Sequence, residues 1–468
     1  MTNDGVVEGV WIFSRHGDRS PGRALSPAHR RDDEAAFWIS KLPYPDTATA
    51  FTAFSKRFPL KILPGTNQGN FLDVKRNPFG FLTQTGLEQL RHNGHKFFNR
   101  YNHHGHHLPD RLEWRWEIAQ DFLSVWDVTV YSTNYLRTVL SAQSFLDGLL
   151  GTNCFLPNTT RDYDPTLSVE SPVPDHSWLP DDRQEELVPV QVRDLSQDPL
   201  NAFDRNPDLI ADLVSEVMLS DKFLQRDAAA APLAARLANI LPGLVRPFRT
   251  DFSKRSPSGI NWVEAADHFV CRNAHKLDLS KFTDFEHDDR VEETLASLSH
   301  QTQTHLAWRF RQWYQNERLL AAIAAPPLRE IANQLQATTE LTTVDKRPFT
   351  VYSCHDITIL GVLYGIMADF LADEASSEWR FWPKYGSHLV FELVRIKDGP
   401  AREDSHVVRV LLNGKPVLSA NHKSHTKTNE AYIGRGPEKL LRVDDFLKVV
   451  QDLEDAGGHD YDTLLSRR

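Results

Sequence analysis

Three short polar segments of the 468-residue chain carry side chains that suit chemistry on a phosphate group. They are Arg15-His16-Gly17-Asp18-Arg19, Ser132-Thr133-Asn134 followed by Arg137, and His355-Asp356. Forked guanidinium groups bind phosphoryl oxygens, a neutral imidazole attacks phosphorus, and a carboxylic acid protonates the departing alkoxide. Together these residue types predict hydrolysis of a phosphomonoester, with His16 as the nucleophile and Asp356 as the proton donor.

Each segment follows an apolar run and precedes a helical pattern. The runs at 6–13, 128–131 and 349–353 are rich in β-branched and aromatic residues, which is typical of buried strands. Apolar residues recur at helical spacing over 136–145, and an apolar helix is predicted over 357–367. Because the carboxyl ends of parallel strands line one edge of a sheet, we expect the three segments to converge there.

The remaining patterns predict an α/β fold with a mostly parallel central sheet flanked by helices and an inserted α-rich cap. Proline and acidic residues are frequent over 155–205, and long Leu and Ala patterns at helical spacing follow over 207–245 and 288–338. We therefore expect a core of residues 1–154 plus 340–468 and a largely helical cap of residues 155–339 that selects the leaving group. Asn413-Gly414 predicts a tight hairpin turn.

Composition and charge limit the partners and the compartment. The chain has 53 Lys and Arg against 63 Asp and Glu, a net charge of −10, which argues against nucleic acid as a partner. The odd and sparse count of three cysteines does not suggest a disulfide framework and fits a reducing compartment. The first residues lack the pattern of a secretory signal, and no run approaches the ~20 apolar residues of a membrane span. A cytoplasmic protein is expected.

The polar segments belong to a longer series of motifs that resembles the histidine acid phosphatases, the large branch of the histidine phosphatase superfamily. The motifs follow the family's order and cover most of the chain outside residues 22–80 and much of the predicted cap. They are Arg15-His16-Gly17-x-Arg19-x-Pro21, Leu82-Thr83-x-x-Gly86-x-x-Gln89, Arg100-Tyr101, Ser132-Thr133-Asn134-x-x-Arg137 with Ser141-Ala142, Tyr352-Ser353-x-His355-Asp356-x-Thr358, and Trp382-Pro383-x-Tyr385-Gly386-Ser387-His388-Leu389 through Glu392-Leu393.

The resemblance implies a role for each of six residues. It implies His16 as a phosphohistidine nucleophile, Asp356 as the proton donor, and Arg15, Arg19, Arg137 and His355 as phosphate ligands. It also implies that water attacks the phosphoenzyme, and that no metal or other cofactor takes part. The expected partner is a small-molecule phosphomonoester; the layout looks most like the lysophosphatidic acid phosphatase subgroup, and a phytase-like inositol polyphosphate phosphatase is the alternative.

Each segment, taken alone, also fits a structural role. The first fits a strand-end turn in which Gly17 allows positive φ, and His355-Asp356 fits a helix cap. Arg137 alone fits a solvated helix residue. Two further functions are rivals: a phosphomutase of the small branch, against which chain length counts, and a phospholigand-binding protein without turnover.

Two further groups of histidines have side chains that could bind a ligand. His103-His104-Gly105-His106-His107, with His92 and His95 nearby, fits adventitious nickel or zinc binding better than a physiological metal site, since a Gly-containing loop gives flexible ligands. His275 resembles part of a family block near the substrate. A buried structural histidine is at least as good an interpretation, so we leave His275 outside the predicted catalytic set.

Overall fold

The structure is a computed structural model that describes residues 5–26, 28–43, 55, 58–63, 78–102, 116–150, 188–245, 260–277, 289–340, 345–368, 381–396, 405–417 and 440–466. Nine strands lie within these residues and form one sheet. The strands are β1 (Gly5–Arg15), β2 (Leu60–Ile62), β3 (Trp126–Ser132), β4 (Val190–Val192), β5 (Arg347–Cys354), β6 (His388–Ile396), β7 (Ser405–Leu412), β8 (Lys415–Pro416) and β9 (Leu441–Arg442).

Helices flank this sheet and build a separate cluster beside it. They are α1 (Arg31–Ile39), α2 (Gln84–Tyr101), α3 (Trp116–Val125), α4 (Leu136–Leu150), α5 (Ala202–Arg205), α6 (Pro207–Met218), α7 (Asp221–Ala229), α8 (Ala231–Ile240), α9 (Trp262–His275), α10 (Asp289–Tyr314), α11 (Glu317–Glu340), α12 (Asp356–Gly365) and α13 (Val443–Ser466). Short 3-10 turns lie at Ala28–Arg30 and Pro242–Leu244.

The sheet combines a parallel half with an antiparallel half. Its strand order is β2-β4-β3-β5-β1-β6-β7-β8, with β9 paired to β7. The five strands β2, β4, β3, β5 and β1 pair in parallel with their neighbours in this group. The pairings of β6 with β1, and of β7 with β6, β8 and β9, are antiparallel. The predicted α/β class with a central sheet flanked by helices is confirmed. The parallel order, however, holds only for the half that contains β1, β3 and β5.

Alternation along β1 shows how the sheet acquires two apolar faces. Val10 and Ile12 pack in a cluster with residues of α2 and α4, whereas Trp11 and Phe13 pack with residues of α11, α12 and α13. All four side chains are at most 1% exposed. Successive side chains of a strand point to opposite faces, so a continuous apolar run requires a layer of helices on each side. This explains why the run at 6–13 predicted a buried strand.

A third apolar cluster belongs mainly to helices α6 to α10 of the segment 155–339. Leu25 and Trp38, from the first part of the chain, are buried in the same cluster. Conversely, β4 pairs with β3 in the sheet, and α11 packs against the sheet face that carries Trp11. The residues of this helical cluster and those of the two sheet clusters therefore interleave along the sequence. The division into core 1–154 plus 340–468 and cap 155–339 stays a proposal.

The hairpin and two family motifs have clear structural roles. Asn413 and Gly414 have φ values of 49° and 80° and connect β7 to β8, as predicted. The buried carboxylate of Glu392 on β6 accepts hydrogen bonds from Arg100 and Tyr101 of α2, with Arg100 Nη2 at 2.9 Å. The motifs Arg100-Tyr101 and Glu392-Leu393 thus join a helix to the sheet.

Several expectations concern groups away from the sheet edge. Cys271 and Cys354 are buried free thiols, and Cys154 lies outside the described residues. His103-His104-Gly105-His106-His107 also lies outside them, while His92 and His95 belong to α2. Within the described ranges, no group of three or more His, Cys, Asp or Glu residues is arranged to hold a metal ion. No helix in those ranges is long and apolar enough to span a membrane.

Candidate active site

Three neighbouring parallel strands deliver the polar segments to one edge of the sheet. Strands β1 and β5 are in register with Arg15 opposite Cys354, and β3 and β5 are in register with Ser132 opposite Ser353. All three strands therefore end at the same level. The structure brings the segments around His16, Arg137 and His355 together. The repeated order of strand, polar turn and helix predicts this arrangement.

His16 is held as a neutral imidazole with one defined tautomer. Its Nδ1 lies 2.9 Å from the carbonyl oxygen of Gly17, which only accepts hydrogen bonds, so Nδ1–H donates and Nε2 carries a lone pair. The side chain is 2% exposed. Burial, and then Arg137 and the other arginines nearby, lower the pKa of His16 well below its ordinary value. The lone pair on Nε2 is therefore available in mildly acidic solution.

Arg15 connects the nucleophile loop to the predicted proton donor. Its Nη2 lies 2.6 Å from Oδ2 of Asp356, and its Nη1 donates to the carbonyl oxygen of Pro383. Its guanidinium also lies over the ring of Tyr385, 4.3 Å from the centroid. Asp356 accepts a second hydrogen bond from Trp382 Nε1 at 2.8 Å. The carboxylate thus has a fixed position at the first turn of α12.

Arg19 is fixed by a carboxylate from helix α9. Asp267 receives two hydrogen bonds from the guanidinium, Nη1 to Oδ2 at 3.1 Å and Nη2 to Oδ1 at 2.9 Å. Burial alone would lower the pKa of Arg19, but Asp267 raises it above the ordinary value. Conversely, Arg19 outweighs the effect of burial and lowers the pKa of Asp267. Both groups are therefore charged.

Arg137 and His355 lie beside the same nucleophile. Tyr135 contacts both: its ring centroid is 4.4 Å from the Arg137 guanidinium carbon and 5.1 Å from the centroid of the His355 ring. Burial and then Arg19 lower the pKa of Arg137 to about 10. Burial and then Arg137 lower the pKa of His355. His355 Nε2 lies 3.1 Å from the hydroxyl of Thr133, and the two rings of His355 and His16 are 5.6 Å apart.

The three arginines share one feature that marks an anion site. The Nε atoms of Arg15, Arg19 and Arg137 are buried and have no hydrogen-bond partner among the described residues. Buried donors without partners are rare because each costs the free energy of its lost hydration. These donors, from the ends of β1 and β3, indicate a tetrahedral oxyanion as their acceptor, next to the lone pair of His16.

Comparison with known proteins agrees with this geometry. Residues 6–413 match the family model of the histidine phosphatase superfamily, branch 2. The chain belongs to this superfamily. It is a phosphoric monoester hydrolase, as the sequence predicted. The match runs through all the motifs around His16, Arg137 and His355.

Curated relatives and solved structures are similar over most of the chain. The chain is 23% identical to 2-phosphoxylose phosphatase 1 of Mus musculus and 22% identical to that of Homo sapiens, over 94% of this chain and 76% of each relative. Hafnia alvei phytase with myo-inositol hexakis sulphate is 15% identical with a TM-score of 0.49, covering 98% of this chain and 99% of that one. Bifidobacterium longum multiple inositol polyphosphate phosphatase is 12% identical with a TM-score of 0.49, covering 98% and 94%.

In this histidine phosphatase, the second motif supports the nucleophile loop. Thr83 caps α2, and its backbone N–H donates to the carbonyl oxygen of Asp18 at 3.0 Å. The backbone N–H of Asp18 donates to Gln89 Oε1 at 2.9 Å. Gly86 allows close contact, since a Cβ there would lie 2.1 Å from the Asp18 carbonyl oxygen. The motif from Leu82 to Gln89 is therefore a platform for the loop that carries His16.

Sequence reasoning did not assign roles to several residues around this site. Asp267, which holds Arg19, and Trp382, which holds Asp356, come from distant parts of the chain. No local pattern in the sequence singles out Asp267, which lies between Ala266 and His268 of α9. His275 lies with Nε2 2.5 Å from Asp18 Oδ1 and is 7% exposed, outside the group of phosphate donors.

Proposed function

We propose that the phosphomonoesterase reaction proceeds through a phosphohistidine at His16. Nε2 attacks phosphorus while the bond from phosphorus to the ester oxygen breaks, and Asp356 donates a proton to the departing alkoxide. Water then attacks the phosphohistidine and gives a proton to the Asp356 carboxylate, while the bond from phosphorus to Nε2 breaks; inorganic phosphate leaves, and the neutral imidazole and the protonated Asp356 are restored. The observation that carries this proposal is the His16 tautomer: Nδ1 donates to Gly17, so Nε2 carries its lone pair beside Arg15, Arg19 and Arg137.

The four proposed phosphate ligands act mainly by stabilising the negative charge of the transferred phosphoryl group. Arginine binds the equatorial oxygens of the transferred group, whose charge is stabilised by donors that are already oriented. We assign Arg15, Arg19, Arg137 and His355 to this role because they surround His16 from three strand ends. No metal or cofactor is assigned to the reaction, and a preparation treated with a chelator should keep its activity.

The nucleophile can be tested by trapping. His16→Ala should abolish p-nitrophenyl phosphate hydrolysis and the acid-labile, base-stable phosphoenzyme seen after rapid quenching of the wild-type enzyme. His406→Ala is the matched control, because His406 lies on β7 and contacts Glu8 at 2.9 Å instead of the site. Full activity of His16→Ala would refute the proposal, and so would the trapping of a phosphate on any other residue.

We propose a small ester with a single phosphate as the substrate. Three of the arginines near the site are paired with carboxylates, namely Arg15 with Asp356 at 2.6 Å, Arg19 with Asp267 at 2.9 Å, and Arg23 with Glu264 at 2.7 Å. Arg137 has no carboxylate partner among the described residues. This charge balance suits one phosphate group, whereas an inositol polyphosphate requires further cations.

The leaving group is expected to lie beside the proposed proton donor. Trp382 and Ile357, which are half-buried, border Asp356 and offer apolar surface. On the side of Arg137, Tyr135 donates a hydrogen bond to the exposed carboxylate of Asp204. This carboxylate can accept hydrogen bonds from hydroxyl groups of a substrate and would repel a second phosphate group. We assign the helical segment 155–339, which contributes Asp204, to the selection of this leaving group.

A substrate panel separates the proposed substrate from its alternatives. The curated relatives are named for 2-phosphoxylose, a pentose with one phosphate, and the sequence layout favoured a lysophosphatidate. We expect kcat/KM for one of these monophosphates to exceed that for inositol hexakisphosphate by more than tenfold. A preference for inositol hexakisphosphate would instead support the phytase-like alternative, and lack of turnover with every ester would support a binding protein.

We also propose a cytoplasmic location. The support is that two of the three cysteines, Cys271 and Cys354, are buried free thiols, which persist in a reducing compartment. Subcellular fractionation of the tagged full-length protein, with markers for each compartment, tests this location. Recovery with a secretory or organellar marker would contradict it.

A further inference from the structure

One face of helix α9 lies along the loop that follows the nucleophile. Asp267, Cys271 and His275 occupy positions i, i+4 and i+8 of the helix, which share a face. Asp267 binds the guanidinium of Arg19, and Cys271 Sγ lies 3.3 Å from the Arg19 carbonyl oxygen. His275 Nε2 lies 2.5 Å from Oδ1 of Asp18. These contacts reach the two loop residues that lie two and three positions after His16.

The two polar ends of this helix face bind loop residues of opposite charge type. At one end a helix carboxylate, Asp267, binds a loop arginine, and at the other a helix imidazole, His275, binds a loop carboxylate. Both contacts are largely excluded from solvent: Asp18 is fully buried, and Arg19 and Asp267 are each 15% exposed. A buried charged group that loses a hydrogen-bond donor is disfavoured, and Asp18 Oδ1 has the His275 imidazole and the Thr83 hydroxyl as its side-chain donors among the described residues. The loop therefore has one favoured register on the helix.

The contact of Asp267 also decides which edge of Arg19 faces the site. Because Asp267 accepts from both Nη atoms, Nε is the guanidinium nitrogen without a partner among the described residues. Asp267 Oδ2 additionally accepts from the backbone N–H of Gly22 at 3.0 Å, which fixes the carboxylate itself. Donors at a reaction centre act only when they are oriented before the reaction.

We infer that Asp267 and His275 are positioning residues, which orient Arg19 and the His16 loop for phosphoryl transfer. Helix α9 belongs to the proposed cap, so this segment takes part in phosphate alignment as well as in selection of the leaving group. The inference rests on the proposed function of His16 and Arg19. A displacement of about 1 Å in such a group lowers rates by roughly 10²-fold.

The charge and orientation effects of Asp267 differ in sign, which makes them separable. Replacing the carboxylate by an amide increases the positive charge around the phosphate, so charge alone would lower KM and leave kcat intact. Loss of orientation lowers kcat. We expect Asp267→Asn, a nearly isosteric change, to lower kcat for p-nitrophenyl phosphate by roughly 10- to 100-fold without raising KM.

A double-mutant cycle tests whether Asp267 acts through Arg19. In the Arg19→Ala background, Asp267→Asn should change kcat/KM by less than about threefold, because the group it positions is missing. Glu264→Gln is the matched control: it removes a different ion pair between α9 and the same loop, that of Arg23, and should leave kcat within about twofold. An equal loss from Asp267→Asn in both backgrounds would overturn the inference.

His275 is tested by conservative rescue. The amide of His275→Gln can still donate to Asp18, whereas His275→Leu cannot, so Gln should keep kcat within about threefold while Leu lowers it at least tenfold. Equal kcat values for the two variants, whether both are active or both are slow, would overturn the role of His275. If His16→Ala stays fully active, the proposed function itself fails; if His16→Ala is inactive and the cycle is additive, only this inference fails.

Discussion

Replacing the proposed proton donor should affect substrates according to their leaving groups. Asp356→Asn keeps the side-chain volume but removes the acidic proton. The loss should be large for an alkyl phosphate, whose alkoxide needs protonation, because general acid catalysis contributes about 10²- to 10⁴-fold. It should be much smaller for p-nitrophenyl phosphate, whose phenolate departs without a proton. The same variant therefore gives two different results.

The structure adds a loss that both substrates share. Asp356 binds Arg15 at 2.6 Å, Trp382 Nε1 at 2.8 Å and its own neighbour's N–H, that of Ile357, at 2.9 Å. An asparagine oxygen can keep the bond from Ile357, but the amide NH₂ would face donors of Arg15 and Trp382. Losing a hydrogen bond to a charged group costs about 1.5–3 kcal/mol, or roughly 10- to 150-fold. This part does not depend on the leaving group.

Measuring kcat/KM for both esters separates the two contributions. The ratio of kcat/KM for the alkyl ester to that for p-nitrophenyl phosphate should fall at least about 100-fold in Asp356→Asn. Asp444→Asn is the control, since Asp444 also lies in the first turn of a helix, α13, but follows the edge strand β9. An equal fall for both esters would refute proton donation and would leave Asp356 with only the anchoring of Arg15.

Three further predictions concern the phosphate ligands, the loop platform and acid stability. Arg137→Ala should lower kcat/KM by roughly 10- to 150-fold and weaken competitive inhibition by inorganic phosphate, and unchanged inhibition would contradict its role as a ligand. Gly86→Ala should destabilise the fold by about 1–3 kcal/mol and lower kcat, because its Cβ would lie 2.1 Å from the Asp18 carbonyl oxygen; urea unfolding and a rate assay check both, and full stability would contradict the close contact. Burial lowers the pKa of His268 to about 3, whereas the unfolded imidazole takes up a proton near pH 6.5. Stability from neutral His268 is thus present above pH ~6.5 and is lost as pH falls, by about 2 kcal/mol at pH ~5, so Tm of His268→Gln should fall less than that of the wild type over this interval.

The sequence predicted those parts of the site that depend on local patterns. Strand β1 is marked by the apolar run Val10–Phe13 because these residues are covered on both faces of the sheet. The parallel arrangement of strands then places their ends together without any knowledge of tertiary contacts. His16, Arg137 and Asp356 could be assigned to one site for this reason, and the superfamily match supports the chemistry inferred from them.

Partners that meet only in the folded chain could not be predicted in this way. Asp267 lies 248 residues from Arg19, and no local period relates the two. Likewise, Leu25 and Trp38 pack in the helical cluster of the segment 155–339, so a boundary drawn from composition misses their place. The antiparallel half of the sheet begins where β6 pairs with β1. Several strands have a similar apolar character, so the sequence pattern does not show which of them pairs with β1.

Arg15 and Arg19 have acidic partners and Arg137 has none among the described residues, and this difference sets the expected orientation of the bound phosphate ester. Arg19 is paired with the Asp267 carboxylate and Arg15 with the Asp356 side chain, so both guanidinium groups have an acidic partner before substrate binds, whereas Arg137 rests on the ring of Tyr135. A ring holds a guanidinium in place without neutralising it. The net positive charge of the site is therefore concentrated on the side of Arg137. An incoming phosphate should be drawn to that side, with its ester oxygen left towards Asp356 for protonation.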